Sequence, residues 1–191
     1  AGTMGSGIAT WFCQQNIDVQ LFDINIDFLK TEKEQIFNKW DKLQQKGKFS
    51  KEEIDNFKSK LNIIFNFKDI DPTSNLVIEA IVEKLAPKVE LFKQLDSLLN
   101  ETCIFASNTS GLSINEIKSQ LPNQRQKNFI GLHFFNPATI MKLVEVITSS
   151  DQESIANNMK NFFSEKGKVP VICNDRPGFI CNRIARNFYG E

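Results

Sequence analysis

The sequence predicts an α/β fold whose sheet is mostly parallel and doubly wound. Short apolar runs alternate with segments of helical periodicity along the whole chain. A glycine-rich stretch, "AGTMGSGIAT", opens the chain, and about twenty residues later an apolar run ends in an acidic residue, Asp23. Strands that alternate with helices form parallel sheets, because each helix carries the chain back to the starting edge.

Composition limits the classes of protein that remain. The 191 residues, 41% of them hydrophobic, are enough for one large domain or for a domain and part of another. Acidic and basic residues number 23 each, so no bulk charge favours nucleic acid or a membrane surface, and no apolar run is long enough to span a bilayer. The four cysteines show no metal-ligand spacing beyond a weak pair near the end. They are predicted to be buried, reduced thiols of a reducing compartment.

The opening stretch predicts a phosphate site. Gly2, Gly5 and Gly7 are typical of a tight turn that feeds the first turn of an apolar-faced helix. Backbone N–H groups at a helix start are unpaired and partly positive, and glycine lets an anion approach them. Such a turn normally follows a strand, and none precedes it here. Either the motif is accidental or, as we expect from length and composition, the sequence lacks its beginning.

The next segments predict a strand and a helical hairpin. "DVQLFD" is a short apolar strand that ends at Asp23. Residues 27–46 have helical spacing, with Gly47 as the stop. Ser50 and Glu53 form a capping box that starts a second helix, which runs to about Leu61. The two helices make a lysine-rich hairpin.

The second half predicts five more strands and two helices between them. "NLVIEAIVE" and "TCIFASN" are buried strands on either side of a helix that begins near Pro87, a residue tolerated in a first helical turn. "NFIGLHFF" and "MKLVEVI" follow as strands. A helix over residues 152–166 and a last strand, "VPVIC", complete the pattern.

Asp23 indicates the kind of nucleotide that this fold would bind. In a doubly wound sheet, a glycine turn, a helix start and an acid at the end of the second strand form a dinucleotide site. The acid accepts hydrogen bonds from ribose hydroxyls and repels a 2′-phosphate. Asp23 therefore favours NAD over NADP.

One histidine and one glutamate carry the strongest chemical signal. His133, the sole histidine of the chain, ends an apolar strand, and Glu145 lies in the apolar run "KLVEVI". A buried carboxylate is costly unless it is paired. On neighbouring strands the glutamate would hold the imidazole in one tautomer and stabilise its protonated form, as a general base requires. A purely structural pair is the alternative.

Six motifs, in order, resemble the L-3-hydroxyacyl-CoA dehydrogenase family: the opening glycines, the "IEAIVE" segment, "FASNTS", "GLHFFNP", "MKLVEVI" and "RPGFICNRI". The resemblance implies NAD-dependent oxidation of the (S)-3-hydroxyl of an acyl-CoA, or the reverse reaction. It implies a Rossmann-type NAD-binding domain, here residues 1–176, whose first strand is missing. Residues 177–191 would begin a helical domain, mostly absent, through which the parent protein forms a homodimer.

The resemblance also implies roles for individual residues. His133 would be the general base and Glu145 its partner. Ser110 would contact substrate and cofactor, and Asn182 would help to hold the substrate oxygen. From the residues alone, a polar loop is the favoured interpretation of Ser110, and a helix start is that of Asn182. The implied cofactor-binding residues are Gly2, Met4, Gly5, Asp23, Glu83, Lys88, Ser110 and Asn136. For Glu83 and Lys88, exposed charges around a helix start are the alternative.

The lysine-rich hairpin corresponds to the family's site for the CoA tail. Lys39, Lys42, Lys46 and Lys48 are candidate cations for its phosphates, with Lys46 and then Lys39 preferred. A solvated helix face is the alternative. The segment between Ser110 and His133 is about two residues longer than in common members, which we expect to lengthen a surface loop, and "NPATIMK" varies around the pocket rim.

Three other hypotheses remain open. The scaffold could act on a sugar acid, as do dehydrogenases related to lens crystallins; the lysines argue mildly against this. The chain could be one module of a multifunctional β-oxidation protein with a hydratase upstream. It could also be a non-catalytic NAD-sensing module, although such a module has no use for a base. We expect the cytoplasm or, alternatively, the mitochondrial matrix. We also expect the isolated 191 residues to be poorly stable and inactive, because a central strand is missing.

Overall fold

A computed structural model of the chain describes residues 1–149 and 151–189. It confirms the α/β class with a mostly parallel arrangement of strands. The residues separate into two compact units: Ala1–Ile70 with Asn136–Ile140, and Asp71–Phe135 with Met141–Glu191. The described strands form two sheets, one of two strands and one of five. Among the described helices, none has the length and apolar character needed to cross a bilayer.

The first unit contains a two-stranded parallel sheet with three helices. Its strands pair from Val19 with Leu61 to Phe22 with Ile64. A short 3₁₀ turn, Phe67–Asp69, follows. The elements are α1 (Thr3–Gln14), β1 (Val19–Phe22), α2 (Ile26–Gln45), α3 (Lys51–Lys60) and β2 (Leu61–Ile64).

The predicted helical hairpin is present and packs around Trp40. Trp40 is fully buried, and its ring centroid lies 5.8 Å from that of Phe37 and 5.9 Å from that of Phe57. The capping box is confirmed: the Ser50 hydroxyl accepts from the Glu53 amide, and the Glu53 carboxylate accepts from the Ser50 amide. The strand β2 was not predicted, because four residues directly after a helix are too few to show an alternating pattern.

The second unit is built on a five-stranded sheet in the order β3-β4-β5-β6-β7. Neighbouring strands are parallel except β5 and β6, which are antiparallel. The elements are β3 (Leu76–Glu79), α4 (Leu85–Asp96), β4 (Ile104–Ser107), α5 (Ile114–Lys118), α6 (Asn123–Lys127), β5 (Phe129–Phe134), β6 (Leu143–Thr148), α7 (Glu153–Glu165), β7 (Val169–Asn174) and α8 (Cys181–Tyr189).

The segment in which a longer surface loop is expected, residues 111–128, contains α5 and α6. The Ser113 hydroxyl caps α5 by accepting from the Glu116 amide at 3.1 Å. Ile114 and Ile117 are buried. A capping serine with glutamate three residues later starts α5 even though only one turn follows.

A buried arginine ties α6 to the segment after α4. The Arg125 guanidinium is 2% exposed and contacts the Asp96 carboxylate at 2.6 Å. It also donates to four backbone carbonyls and lies 4.1 Å from the centroid of Phe105. All of its donors are therefore used to hold a turn whose carbonyls would otherwise be buried without partners. The arrangement fixes the start of β4, the strand that leads into the candidate site.

Candidate active site

Two antiparallel strands bring His133 and Glu145 together. They are directly opposite each other in the register of β5 and β6. The Nδ1 atom of His133 lies 2.7 Å from Oε2 of Glu145. The histidine side chain is 8% exposed and that of the glutamate 1%. The contact predicted from the apolar runs is therefore present, and it follows from cross-strand pairing on one face of the sheet.

The second oxygen of Glu145 is held by the start of α8. Oε1 accepts from the amides of Ile180 and Cys181 at 3.0 and 2.9 Å. Gly178 allows this approach, because its φ is +73° and a Cβ there would lie 2.9 Å from the Arg183 nitrogen. Burial raises the pKa of Glu145, but the bonds from His133 and the two amides outweigh burial, and the net pKa is below its ordinary value. Glu145 is thus an ionised acceptor.

An ionised acceptor beside Nδ1 selects the tautomer of His133. A carboxylate can only accept, so Nδ1 carries the proton and Nε2 keeps its lone pair. Within the described part of the chain, no group is hydrogen-bonded to Nε2. The rings of Phe135 and Phe179 lie 4.6 and 5.8 Å from the imidazole and limit its rotation. This arrangement can take a proton at Nε2 and stabilise the resulting cation.

The loop after β4 places Ser110 between two partners. Glu83 accepts from the Ser110 amide at 2.9 Å and from its hydroxyl at 3.3 Å. The Thr109 hydroxyl donates to the same glutamate oxygen at 2.5 Å. The Asn182 side chain, on α8, donates to the Ser110 carbonyl at 2.9 Å. The structure therefore brings together Glu83, Ser110 and Asn182, which the sequence analysis singled out separately.

Lys88 is not the exposed charge that the alternative interpretation required. Its side chain is 1% exposed, and its ammonium contacts Glu79 at 2.6 Å and Glu83 at 3.2 Å. Glu79 was missed as a site residue. Like Glu145, it is an acidic residue inside an apolar strand. The predicted strand extended to Glu83, so the sequence did not show that Glu79 ends β3.

The opening glycines lie in and before α1, in the first unit. The helix begins at Thr3, so Gly5 and Gly7 are helical and only Gly2 precedes the helix as its N-cap. Apart from Gly2 and its two chain neighbours, no heavy atom of the described residues lies within 4 Å of the position that a Cβ on Gly2 would take. No described side chain caps the first turn of α1. Its amides, which include that of the half-buried Met4, are of the type that donates to an anionic group.

Of the other predicted cofactor and substrate residues of this unit, Asp23 is half-buried and the rest are exposed. Asp23 follows β1, accepts from the Asn25 amide at 2.9 Å, and lies 2.7 Å from the amino group of Ala1. Asn136 is exposed and precedes Pro137 through a cis peptide bond. The four hairpin lysines are all exposed: Lys39, Lys42, Lys46 and Lys48.

The chain is similar to proteins of one known family. The model of the family described as "3-hydroxyacyl-CoA dehydrogenase, NAD binding domain" matches residues 1–176. The chain is 40% identical to the human mitochondrial hydroxyacyl-coenzyme A dehydrogenase over 96% of its own length and 60% of the relative's. It is 36% identical to the fatty acid oxidation complex subunit alpha of Psychrobacter arcticus over 100% of the chain and 26% of that protein.

A solved structure shows the same fold. The crystal structure of 3-hydroxybutyryl-CoA dehydrogenase from Escherichia coli K12 superposes with a TM-score of 0.94 at 33% identity, covering 99% of this chain and 40% of that one. The chain thus spans less than two thirds of these proteins. Since the family model covers nearly all of it, the chain belongs to the 3-hydroxyacyl-CoA dehydrogenase family and carries that family's NAD-binding domain.

Proposed function

We propose that the full-length protein interconverts (S)-3-hydroxyacyl-CoA and 3-oxoacyl-CoA with NAD as the redox partner. The observation that carries this proposal is the buried contact between His133 and Glu145, which leaves Nε2 available as a base. A protein that only binds a nucleotide needs glycines and an acid at the ribose. It gains nothing from a buried carboxylate that fixes a histidine tautomer.

His133 is the proton acceptor in this proposal. Removal of a hydride from a carbinol carbon requires that the hydroxyl proton leave as well, and bound NAD supplies the acceptor for the hydride. Nε2 of His133 takes the proton, and Glu145 stabilises the imidazolium across the 2.7 Å contact with Nδ1. In the reverse direction, the same imidazolium returns the proton to the carbonyl oxygen.

Ser110 and Asn182 orient the substrate beside this base. The side chain of Asn182 fixes the Ser110 backbone, and Glu83 fixes its amide and hydroxyl. The serine is therefore presented in one orientation, which favours a single pose of the reacting carbon.

The remaining assignments follow the family's pattern. Gly2, Met4 and Gly5 would receive the NAD pyrophosphate at the start of α1, and Asp23 would accept from the ribose hydroxyls. Glu83, Lys88 and Asn136 would serve the nicotinamide end. Lys46 and Lys39, both exposed, would bind CoA phosphates. We further propose a domain boundary near residue 176 and a homodimer formed through a helical domain.

The test is oxidation of NADH driven by acetoacetyl-CoA, measured on the full-length protein and on His133→Gln. We expect turnover in the wild type and its collapse in the variant, while both bind NADH equally. The control variant is Glu153→Gln, which replaces an exposed residue of α7 and should leave the rate of NADH oxidation unchanged. Absence of turnover with any acyl-CoA, despite normal NADH binding, would favour a sugar-acid substrate or a non-catalytic module instead.

A further inference from the structure

A buried ion pair lies behind the loop that holds Ser110. The Glu79 side chain is 0% exposed and the Lys88 side chain 1%. One oxygen of Glu79 accepts from Lys88 and from the Ile81 amide, both at 2.6 Å. The other accepts from the Ser107 hydroxyl at 2.6 Å. Glu79 thus joins the end of β3 to α4 and β4, although no solvent or ligand can reach it.

Lys88 is shared between two carboxylates of different surroundings. It contacts buried Glu79 at 2.6 Å and Glu83, whose side chain is 43% exposed, at 3.2 Å. Burial raises the pKa of Glu83. Hydrogen bonds from Thr109 and Ser110 and the charge of Lys88 lower it by more than burial raises it, so the net pKa is below its ordinary value. The cluster of Glu79, Glu83 and Lys88 contains two carboxylates and one ammonium, so it has one net negative charge. That charge lies on Glu83, the accessible member.

The cluster depends on Glu79 for this charge. Without the Glu79 carboxylate, Lys88 would pair with Glu83 alone, and the cluster would be neutral. A buried ammonium pairs as closely as it can, so Glu83 would also be drawn toward Lys88 and away from Ser110. A single buried residue therefore controls both the charge and the position of Glu83.

We infer that Glu79 is a positioning residue: because it pairs with Lys88, the negative charge of Glu83 is not neutralised and acts on the nucleotide. That charge favours the oxidised, positively charged nicotinamide over the reduced, neutral one. The inference rests on the proposed function, in which Glu83 and Ser110 serve the nicotinamide end. The oxidised and reduced cofactors differ by one positive charge on the ring. A fixed negative charge nearby therefore changes their affinities unequally.

The experiment measures dissociation constants for NAD⁺ and NADH by titration of the full-length protein and its variants. We expect Glu79→Gln to weaken binding of NAD⁺ by about threefold to tenfold and that of NADH by less than about twofold. Glu79→Asp keeps the charge, so the ratio of the two constants should stay at the wild-type value even if the melting temperature falls. Glu90→Gln removes an exposed carboxylate from the same helix and should change neither constant.

A merely structural role gives a different pattern. Equal weakening of both nucleotides in Glu79→Gln, or the same ratio change in Glu79→Asp, overturns the inference. Should Glu79→Gln not fold, the half-exposed Glu83→Gln removes the same charge and must lower the preference for NAD⁺. An unchanged preference there also overturns the inference. If the wild type binds neither nucleotide, both the proposed function and this inference fail. If the wild type binds both and Glu79→Gln leaves the ratio of the two dissociation constants unchanged, only the role of Glu79 is refuted.

Discussion

Replacement of Glu145 by glutamine removes the charge that stabilises a protonated His133 while keeping the side chain's shape. Both side chains are buried, so the loss is little screened by solvent. Two opposite charges about 4 Å apart at an effective dielectric constant of about 20 attract by about 4 kcal/mol. Each 1.4 kcal/mol, roughly, is tenfold in rate, so kcat should fall by about a thousandfold.

The glutamine also tends to select the wrong tautomer. If its oxygen keeps the bonds from the Ile180 and Cys181 amides, its NH₂ group faces Nδ1 of His133 and donates to it. The imidazole must then carry its proton on Nε2, where the base is needed. This second effect adds to the loss of charge and lowers the population of active enzyme.

The assay is the rate of acetoacetyl-CoA-driven NADH oxidation at saturating substrate, with NADH binding measured separately. Glu145→Gln should bind NADH as the wild type does and lose about 10²- to 10⁴-fold in kcat. Glu153→Gln, an exposed glutamate at the start of α7, is the matched control and should retain full activity. A folded, NADH-binding Glu145→Gln variant with less than about a tenfold loss would refute the reasoning.

Further predictions concern stability and thiol chemistry. The lowered pKa of Glu145 means that its carboxylate stabilises the fold above about pH 4 and that this contribution is lost as the pH falls through the folded-state pKa. The gap in unfolding free energy between wild type and Glu145→Gln should shrink from pH 7 toward about pH 2, and a constant gap contradicts this. Arg125→Met leaves the buried partners of the guanidinium without a donor and should lower the free energy of unfolding by about 3–5 kcal/mol in denaturant titrations. Lys93→Met, at an exposed position, should lower it by under about 0.5 kcal/mol. Equal losses in the two variants would contradict the assigned packing. Burial raises the pKa of three thiols, to about 12 for Cys13, about 11 for Cys103 and about 12 for Cys173. Burial and the charge of Glu145 raise the pKa of Cys181 as well, but its side chain is half-buried where the other three are buried. At about pH 8 a thiol reagent should therefore label Cys181 before the other three, and faster labelling of any of those three would contradict their burial.

The sequence predicted those parts of the fold that have their own local signal. The hairpin could be predicted because Ser50 and Glu53 mark a helix start and apolar residues recur at helical spacing. The contact between His133 and Glu145 could be predicted because a carboxylate in an apolar run needs a partner. In each case the physical requirement lies within a few residues of the sequence.

Features that depend on tertiary contact were missed. The strand β2 has no pattern of its own and exists through pairing with β1. The predicted strand through Glu83 ends at Glu79, because the Glu79 carboxylate accepts from the Ile81 amide and turns the chain. Burial of Lys88 could not be foreseen, since its two partners come from residues that the sequence does not show to converge.

The central claim is that Glu145 holds His133 with its proton on Nδ1 and its lone pair on Nε2. Nitrogen NMR of protein labelled at histidine tests this directly, with the His133 signals assigned by their loss in His133→Gln. For the neutral form of the imidazole, we predict the shifts of a ring protonated on Nδ1 and a change of that pattern in Glu145→Gln. An imidazole protonated on Nε2, or a pattern that Glu145→Gln leaves unchanged, would contradict the account.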